Sequence, residues 1–120
     1  MANPNIVNVT SIYGKVVGQA ITTSATAIVT NSAGSGKIYK INSLIISNIN
    51  GTAAADVTVD VYKNQTTAYN LAFTISVPND ATLVLISKDT SIYLEENDSI
   101  RLTASANSYL HAVCSYEEIA

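Results

Sequence analysis

The amino-acid sequence predicts an all-β fold, an antiparallel β-sandwich. Apolar and polar residues alternate over most of the chain, and turn signals recur at about every 8–12 residues, as in sandwich domains. No stretch has the three-to-four-residue spacing of an amphipathic helix. About eight to ten strands of this kind fit either an immunoglobulin-like topology or a jelly roll, and we expect the jelly-roll-like arrangement.

The chain length fits one domain. The 120 residues divide into a polar segment over 1–11 and a single β-sandwich domain over 12–120. The short alternation Ile6-Val7-Asn8-Val9 suits an extended arm that pairs with a neighbouring subunit, but a frayed terminus is the more common explanation of such a segment.

The first half of the domain contains four predicted strands. Gly14 and Gly18 mark a bulge or a close backbone approach in the first of them. In the third, the alternation changes phase near 44–46, which indicates a bulge or a strand buried on both faces. The four predicted strands cover residues 13–22, 26–30, 37–50 and 56–62.

The second half begins with two shorter apolar patterns. Leu71, Phe73, Ile75 and Val77 alternate with other residues and predict one buried face. The run 83–86 is continuously apolar, which is typical of a central strand.

The stretch 91–104 alternates on both sides of an acidic turn and predicts a β-hairpin. Pairing Leu94 with Ile100 places the large apolar groups on one face and leaves Glu96-Asn97-Asp98 as the loop, with a left-handed residue in it. The same register puts Tyr93 opposite Arg101 on the outer face. A last strand runs over 109–118 and turns Cys114 inward.

Composition and charge exclude several function classes. Only 12% of residues are charged, against about a quarter in ordinary soluble proteins, and the net charge is −3 with the six basic residues scattered. We therefore expect no nucleic-acid partner. No apolar run reaches the ~20 residues of a membrane span, and residues 1–5 lack the pattern of a signal peptide, so we expect no membrane partner and folding in a cytoplasm.

Three short patterns resemble functional motifs. Gly34-Ser35-Gly36-Lys37 lacks the length, the following Ser or Thr and the helix of a phosphate loop. The carboxylates at 95, 96 and 98 could approach Ca²⁺, but three carboxylates on a tight hairpin are more often a solvated turn. Asp56 and Asp60 share a strand face at a spacing too wide to share a proton, although not too wide for a glycosidase; the alternative is a polar outer face.

No catalytic group is predicted. His111 is the only histidine and Cys114 the only cysteine, and an odd spacing on one strand turns them to opposite faces. A single cysteine also rules out an intrachain disulfide. We therefore expect no enzyme activity, no cofactor and no bound metal.

Several tyrosines at outward or loop positions are candidates for an interface, because tyrosine buries much apolar area at little entropic cost. High strand propensity is the alternative explanation. The predicted interface residues are Tyr39, Tyr62, Tyr93, Arg101, Tyr109 and His111.

Five segments resemble small virion structural proteins of tailed bacteriophages, especially those infecting marine cyanobacteria. These segments are residues 36–44, 55–60, 75–78, 86–96 and 115–118. The family usually has glycine where this chain has Asn97, and asparagine can take the same left-handed conformation.

The resemblance implies a non-enzymatic virion protein assembled in the host cytoplasm. Our first hypothesis is a capsid decoration (cement) protein that binds the major capsid protein or other virion proteins as a homo-oligomer, with a trimer favoured. A tail, neck or fibre component, which could contact host glycan, is the alternative.

Overall fold

Nine β-strands and one 3-10 turn, Lys88–Thr90, form the regular structure of residues 3–120, which are the residues described by a computed structural model of the chain. The predicted sandwich is confirmed, and its strands lie close to the predicted ones. The strands are β1 (Ile12–Ala20), β2 (Thr26–Thr30), β3 (Ile38–Asn48), β4 (Ala55–Lys63), β5 (Thr67–Val77), β6 (Thr82–Ile86), β7 (Ile92–Leu94), β8 (Ser99–Ala104) and β9 (Leu110–Ile119).

The strands form two antiparallel sheets with jelly-roll connectivity. Sheet A has the order β1-β9-β3-β6, with β7 also paired to β3, and sheet B has the order β2-β8-β4-β5. The pairs β1–β9, β2–β8, β3–β6 and β4–β5 are nested, as if one long hairpin had been folded over itself. This nesting, with successive strands crossing between sheets, confirms the jelly-roll-like topology over the immunoglobulin-like one.

The phase change predicted in the longest strand is a bulge in β3. The register of β3 against β9 shifts between Ile41 and Ser43, and it shifts against β6 between Leu44 and Ile45. Ile41, Leu44 and Ile46 are consequently all fully buried, although their spacing is uneven. One strand can therefore keep large side chains in the core along its whole length.

The hairpin predicted over 91–104 is wrong in its pairing and right in its facing. Leu94, Ile100 and Leu102 are all fully buried, as predicted. However, β7 pairs with β3 in sheet A, whereas β8 lies between β2 and β4 in sheet B. The predicted left-handed residue is confirmed at Asn97, with φ = 68°.

The turn at 95–98 crosses between the sheets because Asp98 folds inward. Its carboxylate is almost fully buried and accepts hydrogen bonds from the backbone nitrogens of Asn64 (2.9 Å) and Glu95 (3.1 Å). It also meets the Lys63 ammonium at 2.6 Å. These partners attach the turn to the end of β4, which redirects the chain into sheet B.

Two predictions for the middle of the chain are wrong. In β5 only Val77 of the four alternating residues is buried, while Leu71, Phe73 and Ile75 are exposed. The register against β4 shifts twice and Thr74 has φ = 49°, so the regular alternation is broken. The run 83–86 forms β6, which lies at the edge of sheet A rather than at its centre.

Candidate interaction surface

The outer face of sheet B is polar, and its Arg101 and Asp60 side chains pair with each other. Arg101 donates from Nε to Asp60 Oδ1 (3.0 Å) and from Nη2 to Oδ2 (3.2 Å), and Asp60 is only 5% exposed. The guanidinium carbon of Arg101 lies 3.8 Å from the centroid of the Tyr62 ring. The hydrogen bond to Asp60 raises the pKa of Arg101 above its ordinary value. The predicted partner of Arg101 was Tyr93, and that pairing is wrong because β7 and β8 belong to different sheets.

The outer face of sheet A, which we call the A face, differs in composition from the outer face of sheet B. Alternate residues of β9 (Leu110, Ala112 and Cys114) are fully buried, so the residues between them point outward. Register partners share a face, which assigns cross-strand rows to the outside. The rows are Gly18–Val113–Ile45–Val84, Ala20–His111–Ser47–Thr82, and Val16–Ser115–Ser43.

These three rows of the A face carry β-branched side chains, small residues and the imidazole of His111, and no Lys, Arg, Asp or Glu. Val16 is 69% exposed, Val84 57% and Val113 45%. The serine, glycine and alanine residues between these valines are small, so they protrude little from the sheet. The rows therefore offer an exposed apolar stripe on a part of the sheet face that has no Lys, Arg, Asp or Glu, which is typical of a contact surface.

A fourth row at one end of the A face carries two charges. Glu117 pairs with Gly14 on one side and Lys40 on the other, and Lys40 pairs in turn with Tyr93. Among residues 3–120 neither Lys40 nor Glu117 takes part in an ion pair or a side-chain hydrogen bond. Both charges are thus free to meet a partner.

The β1 side of the A face is hollow. A shallow cavity of about 270 Å³ lies beside Gly18, Ala20, His111 and Val113. A Cβ added at Gly18 would meet only Ala112 O at 3.7 Å and Val113 Cγ2 at 3.9 Å, and one at Gly14 would meet nothing within 4 Å. The glycines therefore leave room that a partner's side chains could occupy.

Two predicted interface residues face the core instead. Tyr39 stacks on Tyr116 with 5.4 Å between ring centroids and lies beside Glu118, so its predicted outward position is wrong. Burial, with the Glu118 charge adding to it, raises the pKa of Tyr39 to about 12. Tyr109 likewise packs against the core cluster. Tyr93 and His111 remain exposed and lie on the A face.

Glu118 organises this end of the sandwich. It is nearly buried and meets Lys15 Nζ at 3.2 Å and Lys37 Nζ at 3.1 Å. Although burial works in the opposite direction, the hydrogen bonds from the two lysines bring the pKa of Glu118 below its ordinary value. The group is a structural ion triad at the open end of the two sheets.

The acidic turn lines a second shallow cavity, of about 330 Å³. The Lys63 ammonium lies where a cation would bind, 2.6 Å from Asp98 Oδ2 and 3.1 Å from Glu95 Oε1. Across residues 3–120, no group of three or more His, Cys, Asp and Glu side chains is placed to hold a metal ion. The Gly36 amide, in the loop that resembles a phosphate motif, donates to Glu96 Oε2. Most polar groups at this end of the molecule are therefore paired within the chain, while Glu96 Oε1 is buried without a hydrogen-bond partner among the described residues.

The reactive side chains are dispersed. Cys114 is fully buried, and burial raises the pKa of its thiol to about 11, so it stays protonated at neutral pH. His111 is exposed on the opposite side of β9. Asp56 is exposed without an ion pair among the described residues, whereas Asp60 is held by Arg101. No described helix is long and apolar enough to cross a membrane.

Comparisons with known proteins relate the chain to others through its fold. No protein-family model matches the chain, and no curated protein matches it. The chain superposes with a TM-score of 0.55 and 17% identity on a chain of the Bacillus endospore appendages, a novel family of disulfide-linked pili, covering 92% of this chain and 87% of that one. A pentameric capsid protein isolated from metagenomic phage sequences gives a TM-score of 0.43 and 16% identity, covering 87% of this chain and 59% of that one. The first likeness shows a shared fold, and the second is too distant to support an argument.

Proposed function

We propose that the chain is a non-enzymatic structural subunit of a phage virion, and specifically a decoration protein that binds the outside of the shell in many copies. The observation that carries the proposal is the contrast between an interior without reactive side chains and apolar surface areas without charge. The thiol is protonated, the buried carboxylates of Asp60 and Asp98 are paired, and large apolar side chains are exposed on the A face and along β5. A subunit that functions by burying surface against partners needs this combination.

The contact with the shell is assigned to β5. Tyr69, Leu71, Phe73 and Ile75 are each between 39% and 66% exposed, and strand 67–77 contains no charged residue. We call these four side chains the β5 strip. A soluble protein usually protects such an edge with charges, so an uncharged, apolar edge strand favours a surface that is covered in the working assembly.

Disulfide bonds do not suit the assembly of this subunit. The Bacillus chain that shares the fold comes from pili described as disulfide-linked. In this chain the only cysteine is Cys114, which lies in the core. Copies of the folded chain therefore cannot be joined through Cys114, and we expect buried surface to hold them together.

Quantitative mass spectrometry of purified virions tests the function. A decoration protein should be present in hundreds of copies per particle. A copy number near six or twelve would assign the chain to the tail, neck or fibre, and absence from the particle would overturn the virion proposal.

Binding to shells tests the docking surface. Recombinant protein should bind particles that have been stripped of it, and Phe73→Asp should reduce that binding at least tenfold. Asn79→Asp, an exposed change in the loop after β5 that adds the same charge, should leave it unchanged. Equal binding by the two variants would remove the β5 strip from the proposal while leaving the copy number to decide the function.

A further inference from the structure

We infer that two copies of the chain associate through their A faces, about a two-fold axis that runs parallel to the strands between β9 and β3. The inference is independent of the proposed virion role, because it concerns only the purified chain. It rests on three kinds of complementarity that the register of sheet A creates: charge, shape and hydrogen bonding.

The positions of two charged residues, Glu117 and Lys40, indicate where this two-fold axis lies. Glu117 and Lys40 are register partners on neighbouring strands, so an axis between these strands exchanges their positions. Glu117 of each copy then faces Lys40 of the other, which makes two ion pairs between the copies. Displacing the axis by one strand loses this exchange. Since neither group takes part in an ion pair among residues 3–120, the interface breaks none.

The shapes of the two edges agree with the same axis. The exchange lays β1 of one copy against β6 and β7 of the other, because β1 and the β6/β7 pair lie at opposite edges of sheet A. Val84 then lies over Gly18, and Tyr93 lies over Gly14. Val84 and Tyr93 are exposed large side chains at one edge of the sheet. Gly18 and Gly14 are the positions without a side chain at the other edge. The about 270 Å³ hollow beside Gly18 gives the valine its space.

The remaining rows are compatible with close approach. Val113 meets Ile45, and His111 meets Ser47, where the imidazole and the hydroxyl can form a hydrogen bond. Nothing charged lies in these rows, so two chains that each carry a net charge of −3 meet without opposing like charges. Sheets that pack face to face in this way lie about 10 Å apart with side chains interdigitated.

The size of the surface predicts the strength of the association. Four strands at about 4.8 Å spacing and six residues at about 3.4 Å give roughly 400 Å² per copy. That is about half of what each partner contributes to a standard stable interface. We therefore expect a reversible dimer with a micromolar or weaker Kd, which repeated contacts in an assembly would reinforce.

Analytical ultracentrifugation over about 1 µM to 1 mM tests the inference, with a monomer–dimer equilibrium as the expected result. Lys40→Glu and Glu117→Lys should each raise the Kd at least tenfold, and the double variant should restore it to within a few-fold. Asp56→Lys makes the same charge change as Glu117→Lys on the outer face of sheet B and should have no effect.

Gly18→Val separates docking from folding. A valine in a strand favours the folded monomer, and its Cβ meets only ordinary contacts, so the melting temperature should stay the same or rise. The same side chain fills the hollow that receives Val84, so the Kd should rise at least tenfold. This opposite response of stability and association cannot come from a damaged fold.

Three outcomes would overturn the inference. They are a chain that stays monomeric at the highest concentration, a trimer of the kind that the sequence led us to expect, and a dimer that none of these variants weakens. Copy number in virions would be unaffected by any of them, so the proposed function would stand or fall separately.

Discussion

Leu102 provides the sharpest stability test of the sandwich. It is 0% exposed, points into the core from the middle of β8, and has register partners on both sides, Thr26 in β2 and Val59 in β4. Leu102→Ala removes three buried carbons from a strand that cannot shift toward either neighbour, so the cavity should collapse little. Leucine-to-alanine changes in cores cost about 2.7–5.0 kcal/mol, and limited relaxation places this one at about 3–5 kcal/mol.

Urea unfolding followed by far-UV circular dichroism measures the effect. The midpoint should fall while the m-value stays constant, because the surface exposed on unfolding changes little. At about 4 °C per kcal/mol for a chain of this length, the melting temperature should drop by roughly 12–20 °C. Thr103→Ala, the adjacent change on the outer face, should cost less than about 1 kcal/mol. Equal losses for the two variants would refute the facing of β8 and with it the assignment of the core.

Three further changes probe the polar framework. Asp60→Asn should cost about 1–3 kcal/mol in urea unfolding, because it leaves the Arg101 guanidinium, 24% exposed, without its bidentate partner; a loss below about 0.5 kcal/mol would contradict this. Asn31→Ala should cost about 2–4 kcal/mol by the same assay, since the fully buried amide donates to two backbone carbonyls, at 2.9 and 3.0 Å, whereas Asn79→Ala in an exposed loop should cost little. The pKa of Glu118 is lowered in the folded chain, so the stabilisation by its carboxylate is present above the ordinary pKa of about 4.5 and is lost as the pH falls through the lowered value. Glu118→Gln should therefore reduce the melting temperature near neutral pH and make the melting temperature depend less on pH in the acid range. An unchanged dependence on pH in the acid range would contradict this.

The sequence predicted which residues face the core better than it predicted which strands pair. The alternation correctly predicted that Leu94, Ile100 and Leu102 face the core, because the apolar residues of a strand indicate which of its faces is buried. The residues of a strand do not indicate which other strand it pairs with. A tight acidic turn between two alternating segments is typical of a hairpin, yet here Asp98 accepts hydrogen bonds across to the end of β4 and sends the segments into different sheets.

The failure at β5 has a different physical cause. Leu71, Phe73 and Ile75 have the spacing of a buried face, but an edge strand has an opposing sheet over only part of its length. The left-handed Thr74 breaks the alternation at the centre of that strand. Apolar spacing alone cannot distinguish residues covered by the same chain from residues left for a partner. Tyr39 shows the converse, because the bulge in β3 turns a tyrosine with an outward pattern toward Tyr116.

The A face could not have been predicted from any one segment, because the nested topology assembles it from distant parts of the chain. Gly18, Ile45, Val84 and Val113 form one row only because β9 pairs with both β1 and β3, and β6 pairs with the far side of β3. In sequence they are an isolated glycine and three ordinary strand residues. The same nesting puts Gly14 and Gly18 of β1 at one edge and the larger Tyr93 and Val84 of β7 and β6 in the matching rows at the other edge, and at these positions the sheet is complementary to its own copy turned by 180°. A substitution that makes the two edges alike, as Gly18→Val does, therefore removes the fit without touching the fold.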